Sequence, residues 1–238
     1  MFLDLSFAYK MNFYLGLYDS GIYAWEKNDY ATETELNLHV IEEVWTKYGH
    51  HPSFKGWYLS QEVSRKEVGA IQYYQKLGNK CKEISHDLPV LISPFIDGSK
   101  ALVSSESSLQ KKGVSILDHE QEWDEILHAL SGSVDTIAFQ DGQVELHDLE
   151  DYMNVNKSLA DKYGFHSWSN VESFDRDMPI KFLPIKWEKL QLKIQAAKNA
   201  GFEKLITFEF SHFMSPQSSY LQARHLFNRY KEYLSEEY

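Results

Sequence analysis

The sequence predicts an α/β domain in which parallel strands alternate with helices, as in a (β/α) barrel. The first observation is length: 238 residues suffice for one large domain, because barrels commonly contain about 250. The second is composition, since 43% hydrophobic and 25% charged residues are typical of a globular protein. The third is a series of short β-rich runs, each followed by a polar turn and a segment with helical apolar spacing. We therefore interpret residues 1–238 as a single domain.

Six strand–helix units can be counted along the chain. The predicted strands are Asn12 to Tyr18, Phe54 to Leu59, Pro89 to Phe95, Thr136 to Phe139, His166 to Val171 and Leu205 to Phe210. A TIM (β/α)8 barrel closes with eight, so these units predict an incomplete barrel that lacks its first two. We expect the first and last strands to lie at the two open edges of this barrel. Because open edges leave backbone groups unpaired, we also expect the chain to self-associate and to be less stable than a chain extended upstream. A late reading frame, or completion by another chain, are the alternatives.

Apolar spacing predicts the helices between these strands. Phe2 to Tyr9 resembles the end of a helix that feeds the first strand. After that strand, one helical face combines Leu36, Val40, Ile41, Val44, Trp45 and Tyr48. A helix over Lys186 to Asn199 places Trp187, Leu190, Ile194 and Ala197 on one face and ends at Gly201, and a final helix covers Gln217 to Leu234. The Ser- and Lys-containing segment from Gly98 to Gly113 is interpreted as a mobile loop, or as a solvated insertion without function.

Charge and cysteine content exclude several classes of protein. A net charge of -11 disfavours nucleic acid and anionic membranes as partners, because no basic face is available. The lone Cys81 excludes an intramolecular disulfide and is expected to be a buried small side chain. No apolar run reaches the roughly 20 residues of a membrane span, and the first residues do not resemble a signal peptide. We expect a cytoplasmic protein, or an exported one if the amino terminus lies upstream, with no cofactor and no metal site.

The carboxyl ends of barrel strands form the active site in enzymes of this class, so the residues closing each predicted strand are the candidates. Many of them are acidic or aromatic. Candidate substrate-binding residues are Tyr18, Trp57, Tyr58, Gln61, Asp97, Gln140, Asp141, Trp168, Asn170, Glu209 and His212. The candidate catalytic residues are Glu62 and Glu172. Glycoside hydrolysis needs one carboxyl group to protonate the leaving oxygen and a second to attack the anomeric carbon or activate water. Two strand-end glutamates can supply that pair.

Four motifs occur in order: GWYLSQE at 56–62, AFQDG at 138–142, WSNVESF at 168–174 and FEFSHFMSP at 208–216. With these motifs the chain resembles, over nearly its whole length, the glycoside-hydrolase-like TIM barrels called domain of unknown function 4434. The resemblance implies a carbohydrate substrate. It further implies, by likeness to retaining glycosidases, an acid/base at Glu62 after strand four and a nucleophile at Glu172 after strand seven. Those glycosidases usually carry Asn before the acid/base, where this chain has Gln61.

Other interpretations remain for the same residues. A strand-end glutamate is often a salt-bridged surface residue, and Asp141-Gly142 is also a turn signal. Strand alternation sends about half of the side chains inward, so some candidate stacking aromatics are expected in the core. His212 is more simply explained by a structural hydrogen bond than by a metal, and Asn170 by capping of the turn. The alternative function is therefore a non-catalytic carbohydrate-binding barrel.

Overall fold

The computed structural model describes residues 2–23, 27, 29–98, 113–177 and 181–237. Within this part of the chain the strands are β1 (Phe13–Gly16), β2 (Phe54–Leu59), β3 (Val90–Ile92), β4 (Thr136–Gln140), β5 (His166–Asn170), β6 (Phe174–Asp177), β7 (Lys181–Pro184) and β8 (Lys204–Ile206). The helices are α1 (Phe2–Ala8), α2 (Tyr30–Tyr48), α3 (Ala70–Ser85), α4 (Ile116–Leu130), α5 (Leu149–Tyr163), α6 (Trp187–Ala200), α7 (Phe210–Phe213) and α8 (Leu221–Glu237). The predicted mobile loop lies, from residue 99 to residue 112, outside the described residues.

Six of the strands form one sheet in the order β1-β2-β3-β4-β5-β8. The neighbours pair in parallel, with Trp57 of β2 opposite Val90 of β3 and Trp168 of β5 opposite Lys204 of β8. Parallel strands separated by helices confirm the predicted α/β class, and β1 and β8 stand at the two ends of the strand order as expected.

Besides the shorter bounds of β1 and β3, the structure differs from the prediction in two places. Strands β6 and β7 form an antiparallel hairpin between β5 and α6 that the sequence does not predict. Strand β8 ends at Ile206 instead of continuing to Phe210, and the short helix α7 begins there. The hairpin follows β5, which carries Trp168 and Asn170, and the candidates Glu209 and His212 lie at and within α7.

The chain divides into two compact units, of which unit 1 comprises Met1–Pro94, Gln121–Ala138 and Leu159–His166. Its core contains Trp57, whose ring lies 4.9 Å from Phe54 and 6.2 Å from Trp45 and whose Nε1 donates to Ser85 Oγ at 3.1 Å. Because Trp57 is fully buried among these partners, its predicted role as a sugar-stacking ring is corrected to a core role. Cys81 is buried in the same unit, as predicted.

Helix α2 buries polar as well as apolar residues. It begins at Asp29, whose carboxylate accepts the Thr32 N–H at 3.0 Å. Glu33 and Asn37 are completely buried along with Ile41, whereas Leu36, expected on the apolar face, is exposed. The buried face of α2 therefore lies closer to the start of the helix than the predicted apolar face. The reason is that Glu33 and Asn37 on this face bind the loop that follows β1.

Unit 2 comprises Phe95–Glu120, Phe139–Ser158 and Ser167–Tyr238. The apolar face predicted for α6 is confirmed, because all four of its predicted residues are buried, and its C-terminal Gly201 adopts a left-handed φ of 80°. The core that this face joins contains Val171, Ile185, Trp187, Leu190, Ile194, Met214 and Leu226. Among the residues described, no helix combines the length and apolar character that crossing a membrane requires.

Candidate active site

In unit 1, Glu62 lies after β2 and is half-buried. Burial raises the pKa of Tyr58, and the negative charge of Glu62 and a hydrogen bond to Glu62 raise it further. The Tyr58 hydroxyl therefore keeps its proton at neutral pH and donates to the Glu62 carboxylate. A strand side chain thus orients this carboxyl group.

The residues next to Glu62 are held by backbone contacts. Gln61 is buried, and its carbonyl oxygen accepts the Tyr74 hydroxyl at 2.6 Å. The Ser60 hydroxyl donates to the Leu17 carbonyl at 2.5 Å, which ties the end of β2 to the end of β1. The loop that carries Glu62 therefore leaves β2 in a fixed direction.

Helix α2 holds the loop that follows β1. The Glu33 carboxylate accepts the Ser20 N–H at 3.0 Å and its hydroxyl at 2.6 Å. The Asn37 amide accepts the Tyr18 N–H at 2.9 Å and donates to the Tyr18 carbonyl at 2.9 Å. The Tyr18 side chain is exposed on this fixed backbone, as a stacking residue would be, and its binding role stays a prediction.

In unit 2, the buried ion pair of Asp141 and Lys193 binds the backbone of Glu172. Asp141 follows β4 and is fully buried, and its Oδ1 accepts both Lys193 Nζ at 2.7 Å and the Glu172 N–H at 3.0 Å. Lys193 Nζ also donates to the Glu172 carbonyl at 3.1 Å. The peptide groups on both sides of Glu172 are therefore held by one pair of opposite charges.

The Glu172 side chain lies directly against Gly142. A Cβ atom at residue 142 would stand only 1.6 Å from Glu172 Oε2 and 2.2 Å from Cδ. The φ of Gly142 lies outside the left-handed region, so the need for glycine here is steric. Glu172 is itself buried, with 2% of its surface exposed. The AFQDG motif thus supplies both the acid that holds the Glu172 backbone and the space for its carboxylate.

We expect Gly142→Ala to destabilise the protein by about 1–3 kcal/mol, because the added methyl group must displace the Glu172 carboxylate. Urea unfolding measures the change. In a Glu172→Ala background the same substitution should cost much less, since the colliding atoms are gone. An equal cost in both backgrounds would contradict this account of Gly142.

The other candidates of unit 2 occupy varied environments. Gln140 and Asn170 are buried at their strand ends, and the Asn170 carbonyl accepts the Asp141 N–H at 3.3 Å. Asp97 is half-buried, and its carbonyl accepts the Val114 N–H at 2.8 Å. Lys204 Nζ lies 4.0 Å from the centre of the half-exposed Trp168 ring. The substrate-binding roles of these residues stay predictions.

Glu209 begins helix α7. Its carboxylate accepts the His212 N–H at 3.0 Å and is also bonded to the side chains of Ser211 and His212. Burial acts to raise the pKa of Glu209, but these hydrogen bonds outweigh burial, so the pKa lies below its ordinary value. The contact explains His212 as a helix-capping partner of Glu209, in agreement with the hydrogen-bonding interpretation.

An aromatic group that the sequence does not predict follows Glu172. Phe174 of β6 has ring-centre distances of 4.8 Å to Phe182, 5.0 Å to Phe213 and 6.2 Å to Phe208. Phe182 and Phe208 are 42% and 53% exposed. The Ser173 N–H donates to the Phe208 carbonyl at 2.9 Å, so this group is adjacent in the fold to the Glu172 backbone. Exposed aromatic faces of this kind are suited to the apolar faces of sugar rings.

Besides these aromatic residues, the sequence analysis does not identify Lys193 as a residue of the site. It lies on the apolar face of α6 between Leu190 and Ala197, and only 5% of it is exposed. The sequence does contain a signal for Lys193, since this lysine falls at a position of the apolar face of α6. A buried ammonium group requires a partner of opposite charge, so a lysine at such a position predicts a buried ion pair.

The comparison with protein families gives one match, to the family described as Domain of unknown function (DUF4434), over residues 1–220. No curated protein matches the chain.

Several solved structures are similar. A Bacteroides thetaiotaomicron protein, provisionally assigned as an alpha-L-fucosidase, is 52% identical with a TM-score of 0.92, over 98% of this chain and 71% of that one. A beta-D-glucuronidase from Dictyoglomus thermophilum is 17% identical with a TM-score of 0.54, over 91% of this chain and 37% of that one. A beta-glucuronidase from Ruminococcus gnavus is 11% identical with a TM-score of 0.55, over 91% and 36%. The two glucuronidases support the TIM-barrel fold class only.

Proposed function

The chain belongs to the DUF4434 family, and we propose that it is a retaining glycoside hydrolase. The observation that carries the proposal is the environment of Glu172. Its carboxyl group is buried just after the end of a parallel strand and occupies the space that a side chain at Gly142 would fill. Strand ends of this kind carry the catalytic groups of TIM-barrel enzymes. The resemblance of the surrounding motifs to the DUF4434 family, and of that family to retaining glycosidases, supports the same role.

We assign Glu172 as nucleophile and Glu62 as acid/base. In the first step a Glu172 oxygen bonds to the anomeric carbon while the bond to the leaving oxygen breaks, and Glu62 gives that oxygen its proton. In the second step Glu62 takes a proton from water, the hydroxide oxygen bonds to the anomeric carbon, and the ester bond to Glu172 breaks. The hydrogen bond between Tyr58 and Glu62 would hold the Glu62 carboxyl group in place during both proton transfers.

The first substrate to test is an alpha-L-fucoside. The support is the 52% identity to the Bacteroides thetaiotaomicron protein assigned to that activity. L-Fucose carries a methyl group in place of a hydroxymethyl group, and the exposed rings of Phe182 and Phe208 would suit an apolar substituent of this kind.

The test is a hydrolysis assay on a panel of aryl and natural glycosides, with the anomeric configuration of the first-formed product followed by proton NMR. We expect hydrolysis with retained configuration, and fucosides as the preferred class. Inverted product would exclude Glu172 as nucleophile. Saturable binding of a sugar without any hydrolysis would instead identify a carbohydrate-binding barrel.

A further inference from the structure

We propose that Lys193 is a positioning residue, which acts through Asp141 to hold the backbone of Glu172 at the geometry that reaction requires. The inference rests on the proposed function for its catalytic meaning. It concerns a residue outside the four motifs, on helix α6, whose Nζ donates to the main-chain carbonyl of the candidate nucleophile.

The hydrogen-bond pattern is the first step of the argument. Asp141 Oδ1 receives the Glu172 N–H, and Lys193 Nζ both neutralises Asp141 and binds the Glu172 carbonyl. These three bonds come from the end of β4 and from α6, so Glu172 is fixed by two elements besides its own strand. With both peptide groups held, the direction of the Cα–Cβ bond of Glu172 is fixed, and its side chain moves only among the rotamers open from that point.

Burial is the second step. The side chains of Asp141 and Lys193 are 0% and 6% exposed, so neither charge is compensated by bulk water. Asp141 Oδ2 has no hydrogen-bond partner among the described residues. The negative charge of Asp141 is therefore stabilised through the contacts of Oδ1. Loss of the lysine would leave a buried carboxylate without its counter-charge, which strongly favours rearrangement of its surroundings. The first group to move would be the Glu172 peptide that this carboxylate binds.

The alternative is that the ion pair merely stabilises unit 2. Many buried ion pairs contribute little net stability compared with apolar residues of similar size, so structural need alone is a weak reason for this one. The ion pair lies at the strand end, and Lys193 Nζ donates to both Asp141 and the Glu172 carbonyl, which favours the positioning role.

The experiment compares Lys193→Met with two other variants. Lys198→Met is the matched control, because Lys198 is exposed on the same helix and bonds Tyr233 at 2.7 Å instead. Asp141→Asn combined with Lys193→Met removes both charges while the amide oxygen still accepts the Glu172 N–H. This double variant keeps the test interpretable should the single variant fold poorly.

We expect Lys193→Met to lower kcat by about 100-fold with little change in KM, since misplacement of a catalytic group by about 1 Å has an effect of this size. The double variant should recover roughly tenfold of the loss. Amide hydrogen exchange in residues 168–174 should accelerate in Lys193→Met and not in Lys198→Met.

Wild-type kcat together with wild-type exchange in Lys193→Met would overturn the inference. So would a folded double variant that recovers neither measurement. If the wild-type protein hydrolyses no glycoside, the proposed function fails, and the exchange measurement still decides whether Lys193 holds Glu172.

Discussion

Glu172→Gln should lower glycoside hydrolysis by roughly 10³-fold or more, because an amide oxygen cannot serve as the attacking nucleophile of the first step. The substitution keeps the size of the side chain and therefore its fit against Gly142. We expect the variant to fold and to bind substrate with a Kd near the wild-type value. The measurement is kcat/KM on the substrate found in the panel, with circular dichroism to verify the fold.

The matched control is Glu188→Gln, which makes the same change at an exposed position on α6. It should retain full activity. A second measurement identifies the nucleophile: azide should restore turnover to Glu172→Ala, because the small anion enters the vacated space and attacks the anomeric carbon from the same side. The product would then be a glycosyl azide of inverted configuration. Retention of activity in Glu172→Gln would remove Glu172 from the mechanism.

The sequence predicts the number and order of the parallel strands because strands depend on local patterns, whereas the catalytic roles of the two glutamates stay predictions. Strand β2 is found at its predicted bounds, and the apolar face of α6 is found as expected. Period-2 and period-3.6 spacing can be read from neighbouring residues, and so can the position of an acid after a strand. The candidate catalytic residues follow from this kind of pattern.

Other features depend on contacts between residues far apart in the chain. Lys193 and Asp141 are 52 residues apart, and spacing alone does not reveal a buried ion pair at that distance. The same limit applies to Trp57: β2 is buried on both faces, so alternation does not tell which side chains point toward the helices. The predicted last strand extends beyond β8 because the residues that follow it are largely apolar, whereas Glu209 caps a helical turn there. In each case tertiary contacts outweigh the local pattern.

Glu62→Gln should lower kcat/KM on alkyl or natural glycosides by about 10³-fold and leave it nearly unchanged on an aryl glycoside with a good leaving group. A phenolate such as 4-nitrophenolate departs without a proton, whereas an alkoxide does not. Since kcat/KM of a retaining enzyme reports the first step, the two substrates separate proton donation from nucleophilic attack. This contrast is specific to the acid, because loss of the nucleophile slows both substrates alike.

The matched control is Glu83→Gln, an exposed position on helix α3 of the same unit, which should not alter either substrate. With Glu62→Gln the second step is also slowed, because water is no longer deprotonated. The glycosyl-enzyme should therefore accumulate on the aryl substrate and be visible as a burst of released phenol and as a mass increase on the protein. An equal loss on both substrates, without a burst, would assign Glu62 to a structural role and require another acid for the first step.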